Sequence, residues 1–163
     1  MKQLNETEML HRAAAYCSTA ERCIQDVEKK IKAAGLSPEE SDRILSRLLK
    51  ERFIDENRFA RYFVNDKLRF NKWGRIKINY ELQKKGIPSS IRQEALETID
   101  ENEYEQTLYS LLKSKKRSTK GKDERDIYLK LVRFASGRGF EGSIISLCLR
   151  RLCNGETYED TFE

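Results

Sequence analysis

The sequence predicts an all-α protein built from three tandem three-helix repeats in an elongated body. Three observations carry this. A glycine and five apolar columns recur through the chain, helix start and stop signals recur with them, and no alternating apolar–polar strand pattern is present. Gly35, Gly86 and Gly139 superpose at spacings of 51 and then 53 residues. An apolar residue follows each (Leu36, Ile87, Phe140). Further apolar columns are Leu45/Leu96/Leu149 and Leu48/Ile99/Leu152 downstream, with Val27/Ile78/Leu131 and Ile31/Leu82/Ala135 upstream.

The repeats read as residues 1–53, 54–101 and 102–155, followed by an acidic tail at 156–163. In the first, a short helix over roughly Thr7 to Tyr16 has only Met9, Leu10 and alanines to bury, which makes this repeat the weakest. Ser18 and Glu21 have the spacing of a capping box, opening a helix with the apolar stripe Ile24, Val27, Ile31 and Ala34. Gly35 stops it, since the left-handed conformation after a last turn is cheap only for glycine. Ser37-Pro38-Glu39-Glu40 restarts the chain with a cap, a proline at the first helical position and acids near the positive end of the dipole.

Asp55 caps the central repeat's first helix, which buries Phe59, Ala60, Phe63 and Val64. The next helix carries Ile78 and Leu82 and ends in Lys84-Lys85-Gly86. Asp100 and Glu103 open the third repeat, with Tyr104, Leu108, Leu111 and Leu112 as its stripe. Its second helix carries Ile127, Tyr128, Leu131, Val132 and Ala135, and its third Ile144, Ile145, Cys148, Leu149 and Leu152.

Composition fits this. Apolar residues are 38% of the 163 and charged residues 36%, enough to form a core, and 2 prolines and 8 glycines leave long helical stretches. No apolar run approaches about 18 residues, so no membrane span is expected. Met1 to Glu6 is polar and acidic, unlike a secretory signal. Cys17, Cys23, Cys148 and Cys153 lack CxxC spacing, and His11 is the sole histidine. Reduced, buried or half-buried thiols in the cytoplasm are expected rather than a zinc site.

No Walker loop, HExxH or GxSxG is present, so the sequence offers no reaction, cofactor or small-molecule substrate. Two segments suggest binding. From Arg58 to Lys77 seven cations face one acid, Asp66, and Arg69-Phe70-Asn71-Lys72-Trp73-Gly74-Arg75 interleaves cations with aromatics. Such a cluster can meet phosphates, bases or acidic protein side chains. Equally, Phe70 and Trp73 could pack the turn while the cations are solvated. The second segment, Lys113 to Lys122, has six cations and no acid. Mutual repulsion with Ser, Thr and Gly predicts a flexible loop, either attracting phosphate or simply solubilising. The net charge of +5 sits mainly beyond residue 105.

Phe53-Ile54-Asp55-Glu56-Asn57-Arg58-Phe59-Ala60-Arg61-Tyr62, then Gly74-Arg75-Ile76 and Glu81-Leu82-Gln83-Lys84-Lys85-Gly86-Ile87, resemble the core signature of the RecX family of RecA modulators. Gly139-Phe140 with Ile144 fits that family's third repeat, and the resemblance spans roughly residues 10 to 153. It implies a regulator of tandem three-helix repeats that binds the RecA filament, usually inhibits it, and can contact DNA. The cations of this chain predict that such DNA contact is weak and without sequence preference, and no catalysis is expected. The sequence departs from the family at Ala14-Ala15-Tyr16-Cys17-Ser18, where many members carry an arginine-rich stretch, and in the longer, more basic segment 113–122. From chemistry and spacing, the candidate contacts are Arg69, Lys72, Trp73, Arg75 and Lys77, with Lys115, Lys116 and Arg117 as auxiliary cations. An independent helix-turn-helix nucleic-acid-binding protein is the rival reading. Far-ultraviolet circular dichroism should give a predominantly helical spectrum; strand content above about a tenth would contradict the repeats.

Overall fold

In this computed structural model, residues 4–154 are described; the acidic segment 156–163 lies outside them. Among the described residues every regular element is helical. The first repeat holds α1 (Glu6–Thr19), α2 (Ile24–Ala33) and α3 (Pro38–Lys50). The central repeat holds α4 (Glu56–Asp66), a π-helical turn (Lys67–Asn71), α5 (Arg75–Lys84) and α6 (Ser89–Glu97). The third holds α7 (Glu101–Ser118), α8 (Glu124–Gly137) and α9 (Gly142–Cys153).

Several local signals act as the sequence predicts. Ser37 accepts from the Glu40 amide while Glu40 returns to the Ser37 amide. Asp55 and Asp100 cap α4 and α7 through the amides of Arg58 and Glu103. Gly35, Gly86 and Gly139 all adopt positive φ, at 87°, 79° and 92°.

Two expectations are corrected. Ser18 and Glu21 do not form a capping box. The α1 helix runs on to Thr19, the Ser18 and Thr19 hydroxyls donate back to the Ala14 and Tyr16 carbonyls, and Glu21 is held by Arg58 at 2.5 Å. The N-cap of α2 is instead Cys23, whose amide donates to Asp26 at 3.4 Å. Nor is Lys113–Lys122 a flexible loop throughout. Residues 113–118 are the last turns of α7, since lysine and arginine are good helix formers and their charge suits the negative end of the helix dipole.

The chain folds as two compact units: residues up to Tyr62 with Leu82–Ala95, and Phe63–Glu81 with the chain from Leu96 onward. The central repeat therefore contributes to both. The first unit's core gathers Met9, Ala13 and Cys17 of α1 with Val27, Ile31, Ile44, Leu45 and Leu48 of α2 and α3. In the second, Leu108 and Leu112 of α7, Leu131 and Ala135 of α8, and Ile145, Cys148 and Leu149 of α9 are buried. Cys17, Cys23 and Cys148 are buried and Cys153 exposed; burial pushes the Cys23 thiol up to about 11.

Each unit is organised about a junction between consecutive repeats, and the two junctions use equivalent positions. In the first unit the Ile24 amide, at the start of α2, donates to Glu56, the first residue of the next repeat's opening helix. Gln25 donates to the Lys84 carbonyl at 3.1 Å, and Lys85 pairs with Asp26 at 3.4 Å. In the second unit the corresponding contacts are tighter. The Gly74 amide donates to the Arg138 carbonyl at 2.8 Å and the Ile76 amide to the Gly139 carbonyl at 3.0 Å, so backbone lies on backbone. A methyl group at Gly74 would sit 2.4 Å from the Gly139 carbonyl oxygen.

Arg75 completes the second junction. Its amide donates to the Tyr104 hydroxyl at 2.9 Å; its guanidinium lies 3.9 Å from the centroid of the Tyr104 ring and pairs with Glu101 and, at 2.9 Å, with Glu141. The Tyr104 hydroxyl donates to Glu141. Tyr104 is fully buried, its ring centroid 5.3 Å from that of Phe140. Burial, reinforced by the hydrogen bond to Glu141, pushes the Tyr104 phenol well above its ordinary value.

Replacing Gly74 by Ala should destabilise the protein by about 3 kcal/mol, because the clashing atoms are backbone that cannot swing aside. Gly137→Ala, three residues before Phe140, meets nothing within 4 Å and should be neutral or stabilising by up to about 1 kcal/mol. Denaturant unfolding of the pair gives the comparison. Tyr104→Phe should cost about 1–3 kcal/mol at neutral pH, since it strips partners from the Arg75 amide and Glu141. With its pKa raised by folding, Tyr104 contributes fully below an unfolded value near about 10, and that contribution is lost as pH climbs beyond it. The stability gap between wild type and Tyr104→Phe should therefore narrow above about pH 10.

Candidate functional site

The interleaved cations and aromatics of the central repeat fall on the π-helical turn and its exit. One extra residue per turn interrupts the regular ladder after α4, and the chain leaves through Lys72 in the left-handed conformation (φ 56°, ψ 46°), with the Trp73 amide donating to the Lys67 carbonyl. A lysine gains nothing from that conformation, which glycine or asparagine would adopt at lower cost. Arg138 donates to the Asn71 carbonyl at 2.7 Å and pins the exit from below.

This local geometry decides what each candidate side chain does. Phe70 is 80% exposed, so it does not pack the turn. Trp73 is half-buried, and the ammonium groups of Lys67 and Lys77 lie 5.3 and 4.6 Å from its ring centroid, within cation–π range. Arg69 is exposed and meets Glu103 of α7 at 3.3 Å. An exposed pair of this kind contributes little to stability and leaves Arg69 open to exchange partners. Arg75 differs from its neighbours. Its side chain is only 20% exposed and is committed to Glu101, Glu141 and Tyr104.

Lys72 stands beside α7 and lines a groove with Glu103, Gln106, Thr107, Ser110, Leu111 and Ser114. Along a helix, residues three and four apart share a face. Glu103, Thr107, Ser110 and Ser114 therefore form one row, and Arg117 continues it, with exposed Lys113 at its margin.

The three auxiliary cations meet different neighbours. The Lys115 ammonium lies 4.9 Å from the Phe134 ring centroid on α8. Lys116 borders a different, apolar pocket lined by Ile127, Tyr128, Leu131, Leu149 and Leu152. Of the three, only Arg117 extends the row on the groove side.

Lys67, Phe70 and Lys113 join the surface without having been singled out as contacts from sequence. The first two lay inside the basic and aromatic run. The signal for Lys113 was its helical phase with Ser110 and Arg117, hidden by reading that segment as a loop. On α5, Ile76 and Tyr80 lie four residues apart and each is 57% exposed. No helix among the described residues is long and apolar enough to cross a membrane.

Known proteins with this arrangement can now be compared. The family model described as "RecX, second three-helix domain" matches residues 55–96, and that of the third three-helix domain matches residues 102–149. The regulatory protein RecX of Prosthecochloris aestuarii is 33% identical over 152 residues, covering 93% of this chain and 98% of that protein. The regulatory protein RecX of Lactobacillus johnsonii is 27% identical over 158 residues; the match covers 97% of this chain but 58% of that protein's length. The crystal structure of RecX from Lactobacillus salivarius superposes with a TM-score of 0.82 at 20% identity, over 90% of this chain and 96% of that one. A second crystal structure, of a regulatory protein RecX, gives a TM-score of 0.79 at 22% identity, over 88% and 74%. The three-helix repeats, the matched family models and the identity over nearly the whole P. aestuarii protein agree: the chain belongs to the RecX family.

Proposed function

We propose that this chain is a cytoplasmic regulator that binds the RecA filament on DNA and modulates it, by inhibition, at the level of ATP hydrolysis and recombination. The observation that carries the reading is the cluster on and after the π-helical turn, in which Arg69, Phe70 and Lys72 are exposed and Trp73 and Lys77 half-buried. A nucleoprotein filament offers such a surface both phosphates and protein side chains. Cations speed encounter with a partner of opposite charge, and an aromatic seated in a pocket slows release. Lys115, Lys116 and Arg117 add positive potential on α7 for weak contact with the DNA inside that filament. Binding across the filament would restrict the motions or the DNA access that recombination needs.

Arg75 enters this reading as the residue that holds α5 in place, since its guanidinium is already paired. The informative variant is therefore Arg69→Ala with Trp73→Ala, which removes a cation and an aromatic while leaving the Arg75 network intact. Filament binding should weaken by at least about tenfold, or roughly 1.4 kcal/mol. The helical spectrum should stay unchanged. The measurement is RecA-catalysed ATP hydrolysis on single-stranded DNA, titrated with wild type and variant. If saturating wild-type protein alters neither filament assembly nor hydrolysis, the proposal is wrong.

The basic row on α7 favours a second reading, an independent nucleic-acid-binding protein. That reading requires tight binding to a preferred duplex in the absence of RecA.

A further inference from the structure

We infer that the groove between the Lys72 turn and α7 is a track for the phosphate backbone of a single-stranded nucleic acid, with Lys72, Lys113 and Arg117 as its direct cationic contacts and Phe70 as its stacking side chain. The inference deepens the DNA contact within the reading above and can fail without it.

The lining is the first reason. Beside Lys72 the groove presents Gln106, Ser110 and Ser114, uncharged groups able to donate hydrogen bonds to phosphate oxygens, while the Thr107 hydroxyl already donates to the Glu103 carbonyl. The row from residue 103 to 117 is roughly 21 Å long at about 1.5 Å per residue, enough for several nucleotides. Its one carboxylate, Glu103, stands at the end where Arg69 already neutralises it.

The conformation of Lys72 is the second. A lysine held at φ 56° stores backbone strain that its own packing does not repay, because its side chain is exposed. What the strained turn achieves is to set an ammonium group beside the row of hydroxyls.

Phe70 selects the form of nucleic acid. At 80% exposure, it offers a bare ring one residue from Arg69 and two from Lys72, the cation that lines the groove. An exposed ring can stack on an unpaired base, whereas the bases of a duplex are already stacked on one another. An acidic peptide could use the same cations and hydrogen-bond donors, but its carboxylates gain nothing from a bare ring, which offers an unpaired base a face to stack on.

The experiment uses the full chain alone, with no recombinase, and follows the anisotropy of a fluorescent oligothymidylate and of a duplex of equal length across a salt series. Lys72→Asn is chosen because asparagine tolerates the left-handed conformation, so charge is removed without adding strain. Combined with Lys113→Gln and Arg117→Gln it should weaken single-strand binding by at least about tenfold and reduce the slope of log affinity against log salt by about 2, as expected for three lost phosphate contacts. Phe70→Ala should weaken the single strand and not the duplex. Lys115→Gln with Lys116→Gln lowers only the surrounding potential and should cost no more than about twofold.

The inference is overturned if the Lys115/Lys116 pair costs as much as the groove triple, or if the duplex binds as tightly as the single strand. It is equally overturned if wild type ignores both oligonucleotides while a fluorescent polyglutamate peptide binds in a manner that depends on Lys72. None of these outcomes bears on whether the chain alters RecA-catalysed hydrolysis, which the filament titration answers separately.

Discussion

Two glycines set the geometry of the second unit. Gly74 starts α5 and Gly139 turns α8 into α9, and between them the chain is brought so close that amides and carbonyls bond with no side chain intervening. Such an approach requires hydrogen atoms where other residues carry a methyl group, and it fixes α5 against the α8–α9 turn at one register. The π-helical turn, the strained Lys72 and the ring of Trp73 are all within seven residues of Gly74. The candidate surface is thus held from its C-terminal side by a contact made with a different repeat.

Around that contact the polar groups close a circuit. Arg75 joins the first turns of α7 and α9 through Glu101 and Glu141, and Tyr104 satisfies the Arg75 amide while donating to Glu141. Every member has a partner, which is the condition under which a half-buried charged network orders a structure rather than weakening it. The first unit achieves the same joint by looser means. Ile24 stands where Arg75 would be, Phe59 replaces Tyr104, and a single lysine, Lys85, pairs with Asp26 and lies 5.9 Å from the Phe59 ring centroid. Equivalent positions carry different chemistry, so the repeat conserves the place of the joint and not the residues that fasten it.

The sequence disclosed the repeats because each depends on short-range signals: a glycine after a last turn, an aspartate or serine before a first, leucines three and four apart. It misplaced the start of α2 because Ser18-x-x-Glu21 matches a capping box in spacing, while the cap in use is a cysteine. It read the end of α7 as a loop because repulsion among lysines was weighed above their helix propensity and the fit of their charge to the negative end of the helix dipole. From sequence Arg75 reads as a contact residue, because the glutamates that hold it are 26 and 66 residues away. Local composition marked a candidate surface, but only the fold separates the cation that braces it from the cations it presents.

The phase difference between repeats and folded units has a consequence for synthesis. The first repeat, written by about residue 53, lacks the docking partner for the start of α2, because Lys84, Lys85 and the rest of that segment come later in the chain. At roughly 5–20 residues per second, the ribosome delivers the missing segment to Ala95 about 2–8 s after the first repeat is written. During that interval α1 to α3 must persist on their own core, with Cys23 and the first turn of α2 uncovered. When the segment arrives, the first unit closes while the second still lacks its three-helix core. The two joints therefore form in chain order, and the last to form is the one beside the π-helical turn.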